Sequence, residues 1–228
     1  PINVDYAIIP TEINKSHTIG KYYENGNFIS SINILIPGLH NLSNITAAIA
    51  ASRMIGVDFL DIKKNIKYLK LPKKRFEFRG QIDERNLYDD YAHHPNEIRE
   101  KIKLGRLFIN QKNNNELYKS RLIAIFQPHR YSRAKQFTKE FAEELSKADV
   151  IYVTSIYGAG EGNEDKITSK IITDLIYKQN KNVSYINNYH EITKNFYELT
   201  QKGDLILNMG AGDCHNFWSI LNNKKLNK

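Results

Sequence analysis

The sequence contains little cysteine, no long hydrophobic run and no Walker-type phosphate-binding loop. Cys214 is its one cysteine, so an internal disulfide is excluded and a reducing, cytoplasmic location is expected. No apolar stretch approaches the ~20 residues of a membrane span, and the start of the chain does not resemble a signal peptide. The pattern G-x-x-x-x-G-K-[ST] is absent, so the phosphates of any nucleotide would need a cradle outside this sequence.

Positive charge is in excess but is not concentrated. The formal net charge is +8, yet the lysines are scattered among asparagine and isoleucine, and runs such as Lys73-Lys74-Arg75 are short. This distribution is typical of a solvated surface and argues against nucleic acid, whereas a small anionic ligand is favoured. The chain begins at Pro1 rather than at methionine, as a piece of a longer protein does.

Hydrophobic patterning divides the chain near Leu71–Lys74. The first part predicts short strands within residues 1–36, with Asn25-Gly26 as a hairpin turn, followed by helices at 41–55 and 61–68. The second part alternates strand and helix, which predicts an α/β fold with a mostly parallel, Rossmann-like sheet. Its predicted strands are 75–79, 86–91, 121–126, 150–155, 183–186 and 204–209; its predicted helices are 95–109, 131–147, 166–178, 189–199 and 215–221; a polar surface loop is predicted at 110–119.

Several predicted strands end in loops suited to binding. One loop, from Asp89 to Glu97, packs carboxylates and imidazoles between a strand and a helix. Another, from Gln127 to Arg133, carries two arginines on one helix face, and arginine can bind a carboxylate or phosphate through two parallel bonds. Glycine-rich turns follow at 158–162 and 210–213. In open α/β sheets, ligands bind at this carboxyl edge.

Simpler interpretations of these loops remain open. The first is also explained as a polar turn with a helix cap, and the second as a surface arginine pair with nothing bound. A zinc site from His93, His94 and Glu97 is disfavoured, because adjacent histidines point in different directions and no third ligand is obvious. We therefore expect no metal ligand in this chain.

Six motifs, taken in order, resemble those of the Mur ligase family. They are Pro37-Gly38-Leu39-His40-Asn41-Leu42-Ser43-Asn44, Arg75-Phe76, Asp89-Asp90-Tyr91-Ala92-His93-His94-Pro95, Phe126-Gln127-Pro128-His129-Arg130-Tyr131-Ser132-Arg133, Tyr157-Gly158-Ala159-Gly160-Glu161 and Met209-Gly210-Ala211-Gly212-Asp213. The resemblance implies that residues 1–73 form the strand-rich, carboxyl-terminal portion of the family's central ATP-binding domain. Residues 74–228 would then form its carboxyl-terminal Rossmann-like domain.

The resemblance also implies an activity. The sequence is similar to the branch of the family that ligates L-alanine to UDP-N-acetylmuramic acid in peptidoglycan precursor synthesis. That reaction passes through an acyl phosphate and uses ATP and Mg²⁺. Both ATP and Mg²⁺ would be bound mainly by a part of the central domain outside this sequence, so the chain alone is expected to be inactive. The alternatives are a ligase that adds a whole tripeptide to the same sugar, and a non-catalytic nucleotide-binding module.

Residue roles follow from matching motif positions. The resemblance implies that Arg75 and His94 are catalytic, with Arg75 meeting the ATP phosphates and Asp90 the ribose. Ala92 stands where other members of the family have a lysine, and the histidines at 40 and 129 have a purely structural alternative. The implied nucleotide-binding residues are His40, Asn41, Asn44, Arg75 and Asp90. The implied alanine-binding residues are Tyr91, His93, His94, His129, Arg130 and Arg133.

Overall fold

A computed structural model describes residues 3–110 and 119–226, with side chains described as far as Leu221. The chain divides into two compact units, Pro1–Pro72 and Lys73–Lys228. Most of the surface loop predicted at 110–119 lies outside the described residues. In the part that is described, no helix is long and apolar enough to cross a membrane.

The first unit is an antiparallel sheet covered by helices. Asn25 and Gly26 both adopt positive φ, at 47° and 78°, as the predicted tight hairpin turn requires. Asp58 caps the second helix by accepting a hydrogen bond from the Leu60 amide. The elements are β1 (Tyr6–Ile13), β2 (Thr18–Glu24), β3 (Asn27–Ile34), α1 (Leu39–Met54), α2 (Phe59–Asn65) and a 3₁₀ turn (Ile66–Tyr68), with strand order β1-β2-β3.

The core of the first unit lies between this sheet and its helices. Tyr22 of β2 is fully buried and stacks on Phe59, with ring centroids 4.6 Å apart. Ile45 and Ile49 are one helical turn apart on α1 and are buried in the same cluster. The apolar spacing that predicted α1 therefore marks the face that this helix packs on the sheet.

The second unit is a six-stranded sheet between two layers of helices, which confirms the predicted mostly parallel α/β architecture. The strand order is β4-β5-β9-β6-β7-β8, with only β4 antiparallel to its neighbour. The strands are β4 (Glu77–Ile82), β5 (Arg85–Asp90), β6 (Leu122–Phe126), β7 (Val150–Val153), β8 (Val183–Tyr185) and β9 (Leu205–Met209). The helices are α3 (Pro95–Asn110), α4 (Tyr131–Gln136), α5 (Thr138–Leu145), α6 (Ser169–Gln179), α7 (Tyr189–Lys194), α8 (Phe196–Leu199) and α9 (Asn216–Leu226).

Central strand β6 shows how the sheet is buried on both faces. Leu122, Ala124 and Phe126 point into a cluster with α3, α5 and α6, whereas Ile123 and Ile125 point into a cluster with α7, α8 and α9. The sequence of a strand that is covered on both faces is a continuous apolar run. This explains why the sequence pattern located the central strands well.

Some predicted elements differ from the structure. The helix predicted at 131–147 breaks at Phe137, where the hydroxyl of Thr138 bonds back to the Ala134 carbonyl at 2.6 Å. The helix predicted at 189–199 is divided at Asn195, which separates α7 from α8. The strand predicted from residue 75 begins only at Glu77, because Phe76 adopts a positive φ that a strand excludes.

Candidate functional site

The carboxyl edge of the parallel sheet brings together side chains from the loops after β5, β6 and β7. The rings of Tyr91 and His93 are 5.3 Å apart, those of His93 and His129 are 5.8 Å apart, and those of His129 and Tyr157 are stacked at 5.6 Å. We call these four residues the ring row. Three of them were predicted site residues, and loops separated in sequence meet because parallel strands end at one edge.

The β9 loop also packs against the ring row. A side chain at Gly212 would come within 2.6 Å of the Gln127 amide oxygen and within 2.5 Å of the Tyr157 ring. Gln127 in turn donates a hydrogen bond to Asp213. Glycine is therefore required at position 212 because three loops approach one another closely there, and not because the backbone of the turn needs a positive φ.

Arg130 has a strained backbone. Its φ of 71° and ψ of 133° lie in a region that residues with a Cβ rarely adopt. The strain is maintained by neighbouring hydrogen bonds, since the Arg130 amide donates to the Tyr157 carbonyl at 2.7 Å and the Tyr157 amide donates to the Pro128 carbonyl at 2.8 Å. These bonds hold Arg130 at the start of α4 beside the ring row.

The guanidinium of Arg130 is about half exposed and has an acidic neighbour. Its Nη1 lies 3.6 Å from Oε1 of Glu161. Glu161 is held by the backbone amide of Ser132 at 3.0 Å and by the Ser132 hydroxyl at 2.8 Å. These hydrogen bonds, together with Arg130, lower the pKa of Glu161. Arg130 therefore keeps exposed donors for an incoming anion while an internal carboxylate limits its net charge.

Arg133 and His129 form the other half of this loop. Arg133 Nη1 lies 3.3 Å from His129 Nδ1, so in neutral His129 the Nδ1 atom accepts and Nε2 carries the proton. Burial, followed by the nearby charges of His93, Arg133 and Arg130, lowers the pKa of His129 below its ordinary value of 6.5. His129 is therefore a neutral hydrogen-bond donor at pH 7.

Glu97 organises the turn between β5 and α3. Its Oε2 accepts from the backbone amides of His93 at 3.0 Å and His94 at 3.2 Å, and its Oε1 lies 3.8 Å from Arg75 Nη1. Burial alone would raise the pKa of Glu97, but these hydrogen bonds and charges lower it on balance. Glu97 thus links the predicted catalytic arginine to the predicted alanine-binding histidines.

The two adjacent histidines present different ring nitrogens. His93 Nδ1 donates to the Tyr91 carbonyl at 2.8 Å, which leaves Nε2 as an unprotonated acceptor. His94 Nδ1 instead accepts from the Asn96 amide at 3.4 Å, and its ring packs against Phe137. In the neutral state His94 therefore presents a donor at Nε2, so the geometry favours His93 over His94 as a proton acceptor.

Asp90 is buried at the end of β5. Its side chain has no exposed surface and pairs with Lys101 at 3.3 Å. Its oxygens also accept from the backbone amides of Phe76 at 2.6 Å and Ala92 at 2.8 Å. These partners all belong to the protein, and the predicted contact of Asp90 with ribose stays a prediction.

Asp89 and the segment after β9 form a second buried polar group. Burial raises the pKa of Asp89, although Trp218 and Asn208 favour its ionised form, and Asn208 donates to it at 3.2 Å. Burial likewise raises the pKa of Cys214 to about 12, so this thiol stays protonated and inert. Cys214, Phe217 and Trp218, around the start of α9, are buried in the cluster on this face of the sheet.

The predicted adenine-binding residues lie in the first unit. Asn41 is buried and donates from its side chain to the Pro37 carbonyl at 2.7 Å, so it fixes the start of α1. His40 is half-buried and Asn44 is exposed one helical turn after Asn41. Among these three residues, Asn44 is the one whose side chain is exposed to solvent.

No metal cluster is found where the chain is described, since no group of three His, Cys, Asp or Glu side chains converges in residues 3–110 and 119–226. A cleft of about 550 Å³ opens at the opposite, amino edge of the sheet. Two of its charged residues are already paired, Arg121 with Asp204 and Asp149 with Arg106. The carboxyl edge is therefore the better candidate site.

Sequence reasoning missed three residues of this edge. Tyr157 and Glu161 belong to a motif that we had quoted, but no role was given to them. Lys101 was not distinguished from the many lysines expected on the surface. Its spacing from Ile98 and Gly105 nevertheless places it on the buried face of α3, as helical periodicity predicts. Helical periodicity was the signal that could have found it.

The sequence also matches known proteins. Residues 74–212 match the sequence profile of the Mur ligase, glutamate ligase domain. A curated relative, the UDP-N-acetylmuramate–L-alanine ligase of Prochlorococcus marinus subsp. pastoris, is 65% identical over 223 residues, covering 97% of this chain and 47% of that protein. The chain thus spans about half the length of the curated relatives it matches.

Solved structures share the fold. A UDP-N-acetylmuramate–alanine ligase of Thermotoga maritima superposes with a TM-score of 0.77 at 22% identity, over 98% of this chain and 46% of that one. A murein peptide ligase of Psychrobacter arcticus gives 0.67 at 21% identity, over 96% and 44%. Since the family profile covers more than half of the sequence, the chain belongs to the Mur ligase family.

Proposed function

We propose that this chain is the carboxyl-terminal part of a cytoplasmic ligase that joins L-alanine to UDP-N-acetylmuramic acid at the expense of ATP. One observation carries the proposal: Arg130 is held in a strained backbone, half exposed, beside a neutral His129 and a histidine with a free acceptor nitrogen. Such a site suits a small amino acid. The relative named for alanine ligation supports the choice of substrate.

The two ends of alanine need different partners. Its carboxylate would bind Arg130, with the His129 Nε2–H as a further donor. Its ammonium must lose a proton before the nitrogen can attack an activated carboxyl group, and His93 Nε2 is the acceptor that the hydrogen bonding leaves available. The carboxylate of Glu97 lies beside this ring, with its Oε2 3.5 Å from His93 Nδ1. His94 then has a positioning role.

Each unit contains an exposed side chain with the chemistry to contact ATP. Arg75 is about two-fifths exposed and only loosely paired with Glu97, so its guanidinium is available to a phosphate, and Asn44 is available to a base edge. Bound ATP with Mg²⁺ would supply the phosphoryl group that activates the sugar carboxylate. The described residues include no carboxylate cluster for Mg²⁺, so Mg²⁺ and most of the phosphate contacts are assigned to the remainder of the ligase.

The test is Arg130→Ala in the complete ligase. The alanine carboxylate should lose a charge-assisted hydrogen bond that contributes about 1.5–3 kcal/mol, so the KM for alanine should rise about 10- to 100-fold. The KM for ATP should stay near the wild-type value. Arg130→Lys should recover only part of the loss, because an ammonium cannot make the planar two-bond contact.

Arg99→Ala is the matched control. Arg99 is similarly exposed and also lies near a glutamate, Glu100, at 3.3 Å, but it faces no part of the ring row, so its alanine KM should not change. A rise in the ATP KM alone on Arg130→Ala would assign Arg130 to the nucleotide. Wild-type enzyme that accepts a tripeptide in place of alanine would establish the alternative ligase activity instead.

A further inference from the structure

Lys101 is a buried lysine in the middle of α3. Its side chain is only 5% exposed, and its Nζ lies 3.3 Å from the fully buried carboxylate of Asp90. An ionised carboxylate without exposure is costly unless it is paired and hydrogen-bonded. Burial raises the pKa of Asp90, and Lys101 opposes this by favouring the charged form. Lys101 is therefore the cation that favours the ionised form of Asp90 against the effect of burial.

Ionised Asp90 holds two separate backbone segments at once. Its Oδ2 accepts from the Phe76 amide at 2.6 Å, ahead of β4, and its Oδ1 accepts from the Ala92 amide at 2.8 Å, in the turn after β5. A third bond joins the same two segments, since the Tyr91 amide donates to the Lys74 carbonyl at 2.8 Å. The segment before β4 is thus fastened to the turn that carries the histidines.

The fastened segment has an unfavourable backbone conformation. Lys74 and Phe76 both adopt positive φ, at 59° and 50°, which residues with a side chain rarely do. Arg75 lies between them, so the direction of its side chain depends on two strained neighbours. The Phe76 ring is buried against Tyr88 and Phe108, which with the Asp90 bond holds the strained turn in place.

We propose that Lys101 is a positioning residue that acts through Asp90 to fix Arg75 in register with the histidine turn. In this arrangement Asp90 is the anchor between the arginine expected to meet the ATP phosphates and the residues expected to meet alanine. The role of Arg75 toward phosphate rests on the proposed function, whereas the anchoring itself does not.

Loss of the ammonium should loosen this anchor. In Lys101→Met the buried carboxylate has no counter-ion, so it becomes protonated or draws in water, and either change weakens the bond from Phe76. Amide exchange in the complete ligase, followed by mass spectrometry on the peptide spanning 73–79, should become about tenfold faster. Lys103→Met is the matched control, since Lys103 is on the same helix but is exposed and pairs with Glu100.

Kinetic measurements distinguish a positioning role of Lys101 from an effect on the stability of the protein alone. Arg75→Ala should lower kcat about 100-fold with little change in KM, as expected for a contact made in the transition state. Lys101→Met should lower kcat per folded molecule about 10- to 100-fold, because small misplacements of a catalytic group are costly. The double variant should be no slower than Arg75→Ala alone, because Lys101 acts through Arg75.

Several results would overturn the inference. Wild-type exchange of the 73–79 peptide in Lys101→Met would mean that nothing is anchored, and additive losses in the double variant would mean that Lys101 acts by another route. If Lys101→Met does not fold, the charge-balanced pair Asp90→Asn with Lys101→Met takes its place, with the same expectations. If the wild-type ligase forms no alanine product, the proposed function fails, and the exchange experiment still decides the anchor.

Discussion

At the scale of single residues, backbone strain marks the two arginines that the proposed mechanism uses. Arg130 itself has a positive φ, and Arg75 lies between two residues that do. Such conformations cost about 1–3 kcal/mol each and persist where the surroundings impose them. Strain at both positions is consistent with side chains whose direction matters more than the stability they contribute.

Arg130→Gly should therefore make the protein more stable. Glycine adopts this φ and ψ without a clash, and the relief of about 1–3 kcal/mol exceeds the ~0.4–1 kcal/mol that glycine loses through unfolded-state entropy. We expect the free energy of unfolding to rise by about 1 kcal/mol. The measurement is urea unfolding of the chain followed by the fluorescence of Trp218, its single tryptophan, which is buried in the second unit.

Arg130→Ala is the control for this prediction. The alanine variant also lacks the guanidinium but retains a Cβ, so its free energy of unfolding should stay near that of the wild type. Both variants should weaken binding of the substrate L-alanine equally. Equal stability for the glycine and alanine variants would show that the Arg130 backbone is not strained.

At the scale of elements, the amino terminus of α3 depends on Glu97. Glu97 is the third residue of the helix and reaches back to the amides of His93 and His94, as the glutamate of a capping box does. Its negative charge also interacts favourably with the helix dipole. One side chain therefore both ends the histidine turn and begins the helix.

Glu97→Gln should lower stability in a pH-dependent way. Because the folded-state pKa of Glu97 is below its ordinary value of 4.5, the unfolded chain binds its proton first on acidification. The stabilisation is therefore complete above pH 4.5 and is lost as the pH falls through the folded pKa. We expect a cost of about 0.5–1 kcal/mol at pH 7, which shrinks in urea titrations as the pH falls below 4.5.

The matched control is Glu143→Gln, which removes one carboxylate from an exposed face of α5. A difference between wild type and Glu97→Gln that stays constant down to pH 3 would mean that the charge of Glu97 does not contribute. The glutamine would then be failing as a hydrogen-bond acceptor only.

At the scale of the whole molecule, each unit has its own core. The two large clusters that cover the parallel sheet draw on residues between 76 and 221. The first unit relies on one small cluster between residues 22 and 66, and it exposes Met54 at 77% and Ile55 at 82%. A segment of ~70 residues with so small a core is marginal on its own.

Expression of the two units separately should therefore give unequal results. Residues 73–228 should unfold cooperatively in urea, with Trp218 fluorescence and far-ultraviolet circular dichroism changing together. Residues 1–72 should show no cooperative transition. A cooperative 1–72 fragment, or a 73–228 fragment that binds hydrophobic dyes like a molten globule, would contradict this account of the cores.

Much of the site could be located from sequence, because loops that follow parallel strands must meet at one edge. That rule placed His93, His129 and Arg130 together before any coordinates. It could not assign tautomers, since these depend on which carbonyl or guanidinium each ring nitrogen meets. For that reason the proton acceptor that we propose is His93, whereas the motif position alone had indicated His94.

Hydrophobic periodicity and motif order were enough to predict the α/β class, the succession of strands and helices along the chain, the candidate edge of the sheet and the family. They did not predict what lies beneath that edge. The pairing of Asp90 with Lys101 depends on how α3 packs on the sheet, and residue spacing within one element does not encode packing between elements. The folded protein therefore gives Asp90 a buried partner that no motif indicated.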